Sequence, residues 1–170
     1  TRLVTVGRSG DFADNVVNPP IWRASTHLYA NCADLKARKA RNEDGQFFYG
    51  RRGAPTQWAL AQALTALEPG AAGTVLYPSG LAALAGALLA VLRSGDVLLV
   101  ADNAYEPTRN TAMGLLKTFG VEHRFFDPLD LEAFEAAFCD RTRAVMLEVP
   151  GSLTMEVCDI PALTRIARDK

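Results

Sequence analysis

The feature that most constrains the fold is a short apolar run followed by a turn and a long helix-forming segment. Residues 74–77 read as a buried strand that Pro78 ends, and Ser79 is a typical N-cap residue. Gly80 has no side chain, and almost every residue in 81–93 is a helix former. Backbone N–H groups at such a helix start lack intrahelical partners and favour an anion such as a phosphate. A capped core helix without a ligand is the alternative interpretation, because N-caps are far commoner than phosphate sites.

Strand and helix patterns alternate along the rest of the chain. The predicted strands after the first are residues 96–100, 121–126 and 143–149. This alternation predicts an α/β fold, a mostly parallel sheet with helices on both faces. In such sheets ligands bind at the carboxyl ends of the strands, where we expect Ser79, Gly80, Tyr105 and Gly151.

Composition excludes several classes of protein. The chain has 170 residues, 49% hydrophobic and 22% charged, and its net charge of −1 gives no reason to expect nucleic acid or a membrane as a partner. The longest apolar run stops at Arg93, too early to cross a bilayer. Cys32, Cys139 and Cys158 form no CxxC pair, which favours free thiols in a reducing compartment. No ligand cluster surrounds the two histidines, so we expect no metal site.

The N-terminal part of the chain differs from the rest. Its periodicity is weak, and Asn18-Pro19-Pro20 excludes regular structure there. An arm that packs on another subunit explains this pattern, and a surface loop is the alternative. The segment then reaches Tyr49 and Arg51, which lie among glycines and a second arginine. Arginines in this setting bind anions bidentately, although a solvated basic loop is also open.

A phosphorylated cofactor is the ligand that these segments favour. No GxGxxG motif opens the first helix and no GxxxxGK[ST] motif is present, which disfavours a dinucleotide or a nucleoside triphosphate. A phosphate held by Ser79, Gly80 and Leu81, with the ring of Tyr105 above the cofactor, fits pyridoxal phosphate better.

Four motifs together carry a resemblance to a known family. They are Tyr49-Gly50-Arg51, Pro78-Ser79-Gly80, the segment DNAYEP at 102–107 and the segment LEVPGSLTMEVCDI at 147–160. The order and spacing of these motifs match those of the Cys/Met-metabolism family of pyridoxal-phosphate enzymes, which have fold type I. Nearly the whole chain resembles this family. The motif versions YGRRG at 49–53 and PGSLTME at 150–156 resemble its bacterial cystathionine β-lyase branch. The γ-acting members usually carry an Asn-Pro-type signature at both places.

The resemblance implies a role for each matching residue. Gly80 and Leu81, after Ser79, would offer backbone N–H groups to the cofactor phosphate, and Tyr105 would stack on the pyridine ring. Tyr49 and Arg51 would cross a subunit interface, where Arg51 helps to hold the phosphate of the partner's cofactor. Tyr49 would lie near the substrate amino group. The catalytic candidates are therefore Tyr49 and Tyr105, and the cofactor-binding candidates are Tyr49, Arg51, Ser79, Gly80, Leu81 and Tyr105.

The resemblance also implies an activity and a domain organisation. The activity is a pyridoxal-phosphate-dependent carbon–sulfur lyase of sulfur amino-acid metabolism, which converts cystathionine to homocysteine, pyruvate and ammonia by β-elimination. The enzyme would be a cytoplasmic homodimer or homotetramer with shared active sites. Residues 1–55 would form the N-terminal arm and intersubunit segment, and residues 56–170 the first part of the cofactor-binding domain. The alternatives are a γ-acting family member, such as a γ-lyase or γ-synthase, or a non-catalytic truncated paralogue.

The sequence departs from the family in one respect. The Schiff-base lysine motif and the aspartate that pairs with the pyridine nitrogen are absent from these residues. The available lysines, none of them in that context, are Lys36, Lys39, Lys117 and Lys170. We therefore expect residues 1–170 to belong to a longer protein and to be inactive alone.

Overall fold

The computed structural model describes residues 2–8, 16–37 and 47–170, which form parts of two compact units, Thr1–Leu76 and Tyr77–Lys170. The helices of the first unit are α1 (Arg2–Thr5), α2 (Cys32–Ala37) and α3 (Pro55–Thr65), with a 3-10 turn at Gly50–Arg52. The elements of the second unit are α4 (Gly80–Val91), β1 (Val97–Ala101), α5 (Glu106–Thr111), which continues as a π-helical segment at Ala112–Leu116, β2 (Glu122–Phe126), α6 (Leu131–Ala136), β3 (Thr142–Met146) and α7 (Ile160–Asp169).

The three strands form a parallel sheet in the order β2-β1-β3. The central strand, β1, has the sequence VLLVA and is buried at every position, as a continuous apolar run in a parallel sheet requires. Polar residues begin β2, and this strand lies at an edge. Its Glu122 pairs with Val97 and its Phe126 with Ala101, so the strands are in register along their full length.

Helices cover both faces of this sheet because successive side chains of β1 point to opposite sides. Leu98 and Val100 pack in one cluster with Leu88 of α4 and Leu116 of the π-helical segment. On the opposite face, the core cluster consists of Val97, Leu99, Ala101, Phe126, Phe134, Cys158 and Leu163. The prediction of an α/β fold with a parallel sheet and helices on both faces is confirmed.

One predicted strand is wrong. Residues 74–77 are neither a strand nor buried: Val75 is 77% exposed, Leu76 37% and Tyr77 45%. An apolar run becomes a strand only where a neighbouring strand accepts and donates its backbone hydrogen bonds. In the described part of the chain no strand lies beside these residues. Thr74 instead makes a side-chain hydrogen bond with Thr65 of α3, at 2.8 Å between the two hydroxyl oxygens.

The first unit exposes a series of large apolar side chains. Val17 is 73% exposed, Ile21 76% and Leu28 96%. The backbone of residues 20–22 is hydrogen-bonded to α3. The Thr56 hydroxyl accepts from the Trp22 N–H at 2.8 Å and donates to the Pro20 carbonyl at 3.0 Å. The segment is thus attached to α3 here, while Val17, Ile21 and Leu28 remain exposed.

The three cysteines are free thiols, with Cys32 exposed, Cys139 half-buried and Cys158 buried. Burial raises the pKa of the Cys158 thiol, whereas a hydrogen bond from the Thr142 hydroxyl and another from a backbone N–H lower the pKa of Cys139. Among the described residues no three His, Cys, Asp or Glu side chains are grouped as a metal site. None of the helices in the described ranges combines the length and apolar character needed to span a bilayer.

Candidate functional site

The start of α4 is an N-terminus with two unused backbone donors. The Ser79 hydroxyl caps the helix by accepting from the Ala82 N–H at 3.2 Å, and the Ser79 carbonyl accepts from Ala83 at 3.0 Å. No acceptor for the Gly80 and Leu81 N–H groups lies in the described parts of the chain. Because α4 has 12 residues, its dipole adds a partial positive charge at this end. The helix start therefore suits an anion, as its sequence predicts.

Open space surrounds Gly80. Apart from its chain neighbours and its own helix backbone, a Cβ atom built on Gly80 meets no heavy atom of the described residues within 4 Å, so their packing does not require a glycine here. Gly86, two turns further along α4, shows the contrast, because a Cβ there would lie 2.5 Å from the Tyr77 hydroxyl. The absence of a side chain at Gly80 keeps the helix start accessible to a ligand.

Tyr105 belongs to the same unit as this helix start. It follows β1 and precedes α5, and its side chain is 53% exposed. The neighbouring Ala104 is buried in the cluster that contains Leu88 and against which Leu84 packs, both from α4. Since Leu84 is one helical turn beyond Gly80, the phosphate-binding candidates and the Tyr105 ring come from adjoining parts of the same unit.

Two loops at the carboxyl ends of β1 and β3 are joined by hydrogen bonds. The Tyr105 N–H donates to Oε2 of Glu148 at 2.8 Å, and the Ser152 N–H donates to the Asn103 carbonyl at 2.9 Å. Gly151 permits this approach, because a Cβ on it would lie 2.5 Å from Nδ2 of Asn103 and 2.9 Å from the carboxyl carbon of Glu156. Tyr105 is thus attached to a pair of loops that hydrogen bonds hold together.

Glu156 lies in the second of these loops, which we call the 151–156 loop. The nearby Thr154 hydroxyl, the Glu156 backbone N–H and the Asn103 side-chain amide, all potential donors, lower the pKa of the Glu156 carboxyl group. The Gly151 N–H donates to the Glu156 carbonyl at 2.9 Å, which closes the loop on itself. Leu153 and Met155 have positive φ angles of 66° and 60°, and both are largely exposed.

Tyr49 and Arg51 belong to the first unit. The Gly50 N–H between them donates to the Ser25 carbonyl at 2.5 Å, and Tyr49 makes an isolated antiparallel bridge with Thr26. A Cβ on Gly50 would overlap the Ala24 carbonyl oxygen, so only glycine fits between the two side chains. The guanidinium carbon of Arg51 lies 5.7 Å from the centroid of the Tyr49 ring, and both side chains are exposed.

The predicted site residues therefore form two groups. Ser79, Gly80, Leu81 and Tyr105 lie in the second unit, and Tyr49 and Arg51 lie in the first. Our sequence interpretation gave no role to Glu148, although an acidic residue at the end of an otherwise apolar strand run is a signal that would have found it.

Cavities in the second unit lie elsewhere. One, of about 530 Å³, is lined by Arg93, Asp96 and Arg141 at the amino ends of the strands. Another, of about 560 Å³, follows the free side of β3 and is lined by Phe138 and Leu163 among others. Neither contains a predicted site residue.

The second unit contains two lysines, one at the far end of a helix and one already paired. Lys117 follows the π-helical segment, at the end of the helix opposite Tyr105. Lys170 makes an ion pair with Glu135, at 2.8 Å between Nζ and Oε1. Lys36 is exposed on α2, and Lys39 lies outside the described residues.

Comparison with known proteins identifies the family. The family model for Cys/Met metabolism PLP-dependent enzymes matches residues 1–170. The chain belongs to this family. It is 44% identical over 168 residues to a putative cystathionine beta-lyase of Saccharomyces cerevisiae, 40% identical over 168 residues to the cystathionine beta-lyase of Escherichia coli, and 33% identical over 170 residues to a cystathionine gamma-synthase of Mycobacterium bovis. These matches cover 99–100% of the chain but only 42–47% of each relative, so the chain spans less than half their length.

Solved structures show the same fold. A cystathionine gamma-lyase of Lactobacillus plantarum, in complex with L-serine, matches with a TM-score of 0.84 at 28% identity over 99% of this chain and 41% of its own. A putative O-acetylhomoserine (thiol)-lyase of Campylobacter jejuni matches with a TM-score of 0.83 at 27% identity over 98% of this chain and 41% of its own. That protein contains a pyridoxyl-lysine phosphate group. Fold type I and dependence on pyridoxal phosphate are thereby confirmed for the family to which the chain belongs.

The residues of the second unit fit pyridoxal phosphate. The group combines a phosphate with an aromatic ring, and the unit offers two free N–H donors beside open space, together with an exposed tyrosine ring. The N–H donors are suited to bind the anionic phosphate, and the tyrosine ring is suited to contact the flat face of the cofactor ring.

Proposed function

We propose that this chain supplies the phosphate-binding and ring-stacking part of a pyridoxal-phosphate-dependent carbon–sulfur lyase that cleaves cystathionine by β-elimination. The observation that carries the proposal is the start of α4, where Gly80 and Leu81 offer two N–H groups into open space. Its match in sequence to cystathionine beta-lyases supports the choice of substrate.

Each residue of the second unit has a distinct task in this proposal. The Gly80 and Leu81 N–H groups bind the phosphate, and the Ser79 hydroxyl fixes the helix start by capping Ala82. Two hydrogen bonds of this charge-assisted kind contribute about 1.5–3 kcal/mol each. The Tyr105 ring covers one face of the cofactor ring, so it orients the ring and excludes water from that face.

Tyr49 and Arg51 act at the interface with a second subunit. Arg51 adds a delocalised positive charge to the phosphate of the partner's cofactor, and Tyr49 holds or moves a proton at the substrate amino group. The nearby Arg51 guanidinium lies over the Tyr49 ring, so the two side chains are presented together. When bound, pyridoxal phosphate supplies the electron sink that lets the bonds at the substrate's α- and β-carbons break.

The assembly is a homodimer or homotetramer with shared active sites. The exposed apolar side chains of residues 16–37, including Ile21 and Leu28, support a packed arm rather than a solvated one. Within this proposal residues 1–55 form the arm and intersubunit segment, residues 56–170 the first part of the cofactor-binding domain, and the enzyme acts in the cytoplasm.

The lysine that binds the cofactor covalently lies outside residues 1–170 in this proposal. Such a lysine must be held beside the cofactor and kept partly unprotonated, whereas an exposed lysine has a pKa of about 10.4. Lys117 and Lys170 do not meet this requirement, given their positions. Residues 1–170 alone are therefore expected to have no lyase activity.

The products of cystathionine cleavage test the proposed function. In the complete protein that contains this chain, supplied with pyridoxal phosphate, we expect pyruvate and homocysteine in equal amounts. Release of 2-oxobutyrate and cysteine instead would identify the reaction as that of a γ-lyase. This reaction is the second candidate because the chain is also similar to gamma-acting relatives. Cofactor binding without either product pair would favour a non-catalytic paralogue.

A further inference from the structure

We propose that Glu148 is a positioning residue that sets the place of the Tyr105 ring from the neighbouring strand. This inference rests on the proposed function, because it concerns the ring that would stack on the cofactor. It starts from one contact, in which Oε2 of Glu148 accepts the Tyr105 N–H at 2.8 Å across 43 residues of sequence.

Tyr105 depends on its backbone for its position. Its side chain is 53% exposed, so packing within the chain restrains the ring on one side at most. Its carbonyl accepts from the Thr108 and Arg109 N–H groups, which joins it to the first turn of α5. The Glu148 carboxylate holds the other side of the residue, at the N–H. Together these bonds fix both peptide groups that flank the Tyr105 Cα.

Glu148 is suited to this task by its own location. It lies two residues beyond β3, at the carboxyl end of the strand, and its side chain is half-buried. A charged acceptor makes a shorter and stronger hydrogen bond than a neutral one. The bond therefore resists the thermal displacement that an exposed aromatic ring at a loop otherwise undergoes.

Other contacts make the effect of Glu148 local. The same two loops are joined by the hydrogen bond from Ser152 N–H to the Asn103 carbonyl and by the close approach of Gly151 to the Asn103 side chain. Loss of the Glu148 carboxylate leaves these contacts in place. The loops thus remain attached, and the Tyr105 peptide alone loses its acceptor.

Glu148→Ala and Glu148→Gln in the complete protein test this role. Alanine removes the acceptor, whereas the glutamine amide keeps an acceptor oxygen at the same reach without the charge. We follow hydrogen exchange of the Tyr105 amide without cofactor. We expect exchange to be about tenfold faster in Glu148→Ala, equivalent to about 1.4 kcal/mol of lost protection, and to lie between the alanine and parent rates in Glu148→Gln, whose neutral acceptor makes a weaker bond.

A second readout is the circular dichroism of bound pyridoxal phosphate, which depends on the orientation of the cofactor ring. We expect it to fall in Glu148→Ala together with a roughly tenfold weaker cofactor affinity, and to be restored in part in Glu148→Gln. Glu132→Ala, which removes an exposed carboxylate from α6, is the matched control and should change neither readout.

Unchanged Tyr105 exchange in Glu148→Ala would overturn the proposal, and so would a Glu148→Gln variant that behaves like Glu148→Ala in both readouts. If the alanine variant does not fold, Glu148→Asp takes its place, because its shorter side chain withdraws the acceptor and keeps the charge. A parent protein that binds no pyridoxal phosphate would refute the proposed function and the cofactor role of Glu148. The exchange measurement, made without cofactor, would still decide whether Glu148 holds Tyr105.

Discussion

Gly80→Val is expected to weaken the binding of pyridoxal phosphate by about 100-fold, because it removes access to two charge-assisted hydrogen bonds. The valine side chain enters the open space beside the start of α4, where a Cβ on residue 80 meets no side chain of the described residues within 4 Å. The fold should tolerate the change for the same reason. Affinity is measured by titration of the complete apoprotein, and the thermal midpoint of the apoprotein should stay within a few degrees of the parent's.

Two controls make this result specific to the phosphate. Gly114→Val adds the same side chain to another helical position with open space around it, and it should leave affinity unchanged. Pyridoxal lacks the phosphate, so the parent should prefer pyridoxal phosphate strongly and Gly80→Val should lose most of that preference. Equal affinity of the parent and Gly80→Val for pyridoxal phosphate would remove α4 from the site.

Gly50→Ala is expected to lower the lyase activity of the complete protein by about 100-fold, the usual cost of displacing catalytic groups by about 1 Å. The new Cβ would overlap the Ala24 carbonyl oxygen, which is part of the backbone and has little freedom to move. The Gly50–Arg52 turn must then shift and carry Tyr49 and Arg51 with it. Activity is measured as pyruvate release from cystathionine, and Gly73→Ala, into open space in the same unit, is the matched control.

The same variant tests whether active sites are shared between subunits. Gly50→Ala protein, refolded together with a variant that lacks the cofactor-binding lysine, should regain part of the activity, because one type of hybrid site has both parts intact. Arg51→Ala should behave in the same way when it replaces Gly50→Ala. No recovery in either mixture would mean that Tyr49 and Arg51 serve the site of their own subunit.

Local patterns were enough to predict the central part of the fold. The strand patterns at residues 96–100 and 121–126 predict two of the strands, which the sheet contains as β1 and β2. The N-cap role of Ser79 also follows from local chemistry, since its hydroxyl and the Ala82 N–H are three residues apart. Features of this kind depend on neighbours in the chain and are readable from it.

The wrong strand prediction and the features that were not predicted depend on contacts between residues that are distant in the sequence. Residues 74–77 are as apolar as a strand, but their pairing is decided by which strand lies alongside, and sequence periodicity does not report that. The need for glycine at Gly50 comes from the carbonyl of Ala24, 26 positions earlier. The bond between Glu148 and the Tyr105 N–H likewise joins residues 43 positions apart. Such requirements become visible only when both segments are placed in space.

The central claim is that the start of α4 and the ring of Tyr105 together bind pyridoxal phosphate. A crystal structure of the complete protein with the cofactor bound tests it most directly. We predict phosphate oxygens about 2.7–3.2 Å from the Gly80 and Leu81 nitrogens, with the pyridine ring stacked on Tyr105. A phosphate bound away from Gly80 and Leu81, or a cofactor ring without contact to Tyr105, would contradict the account.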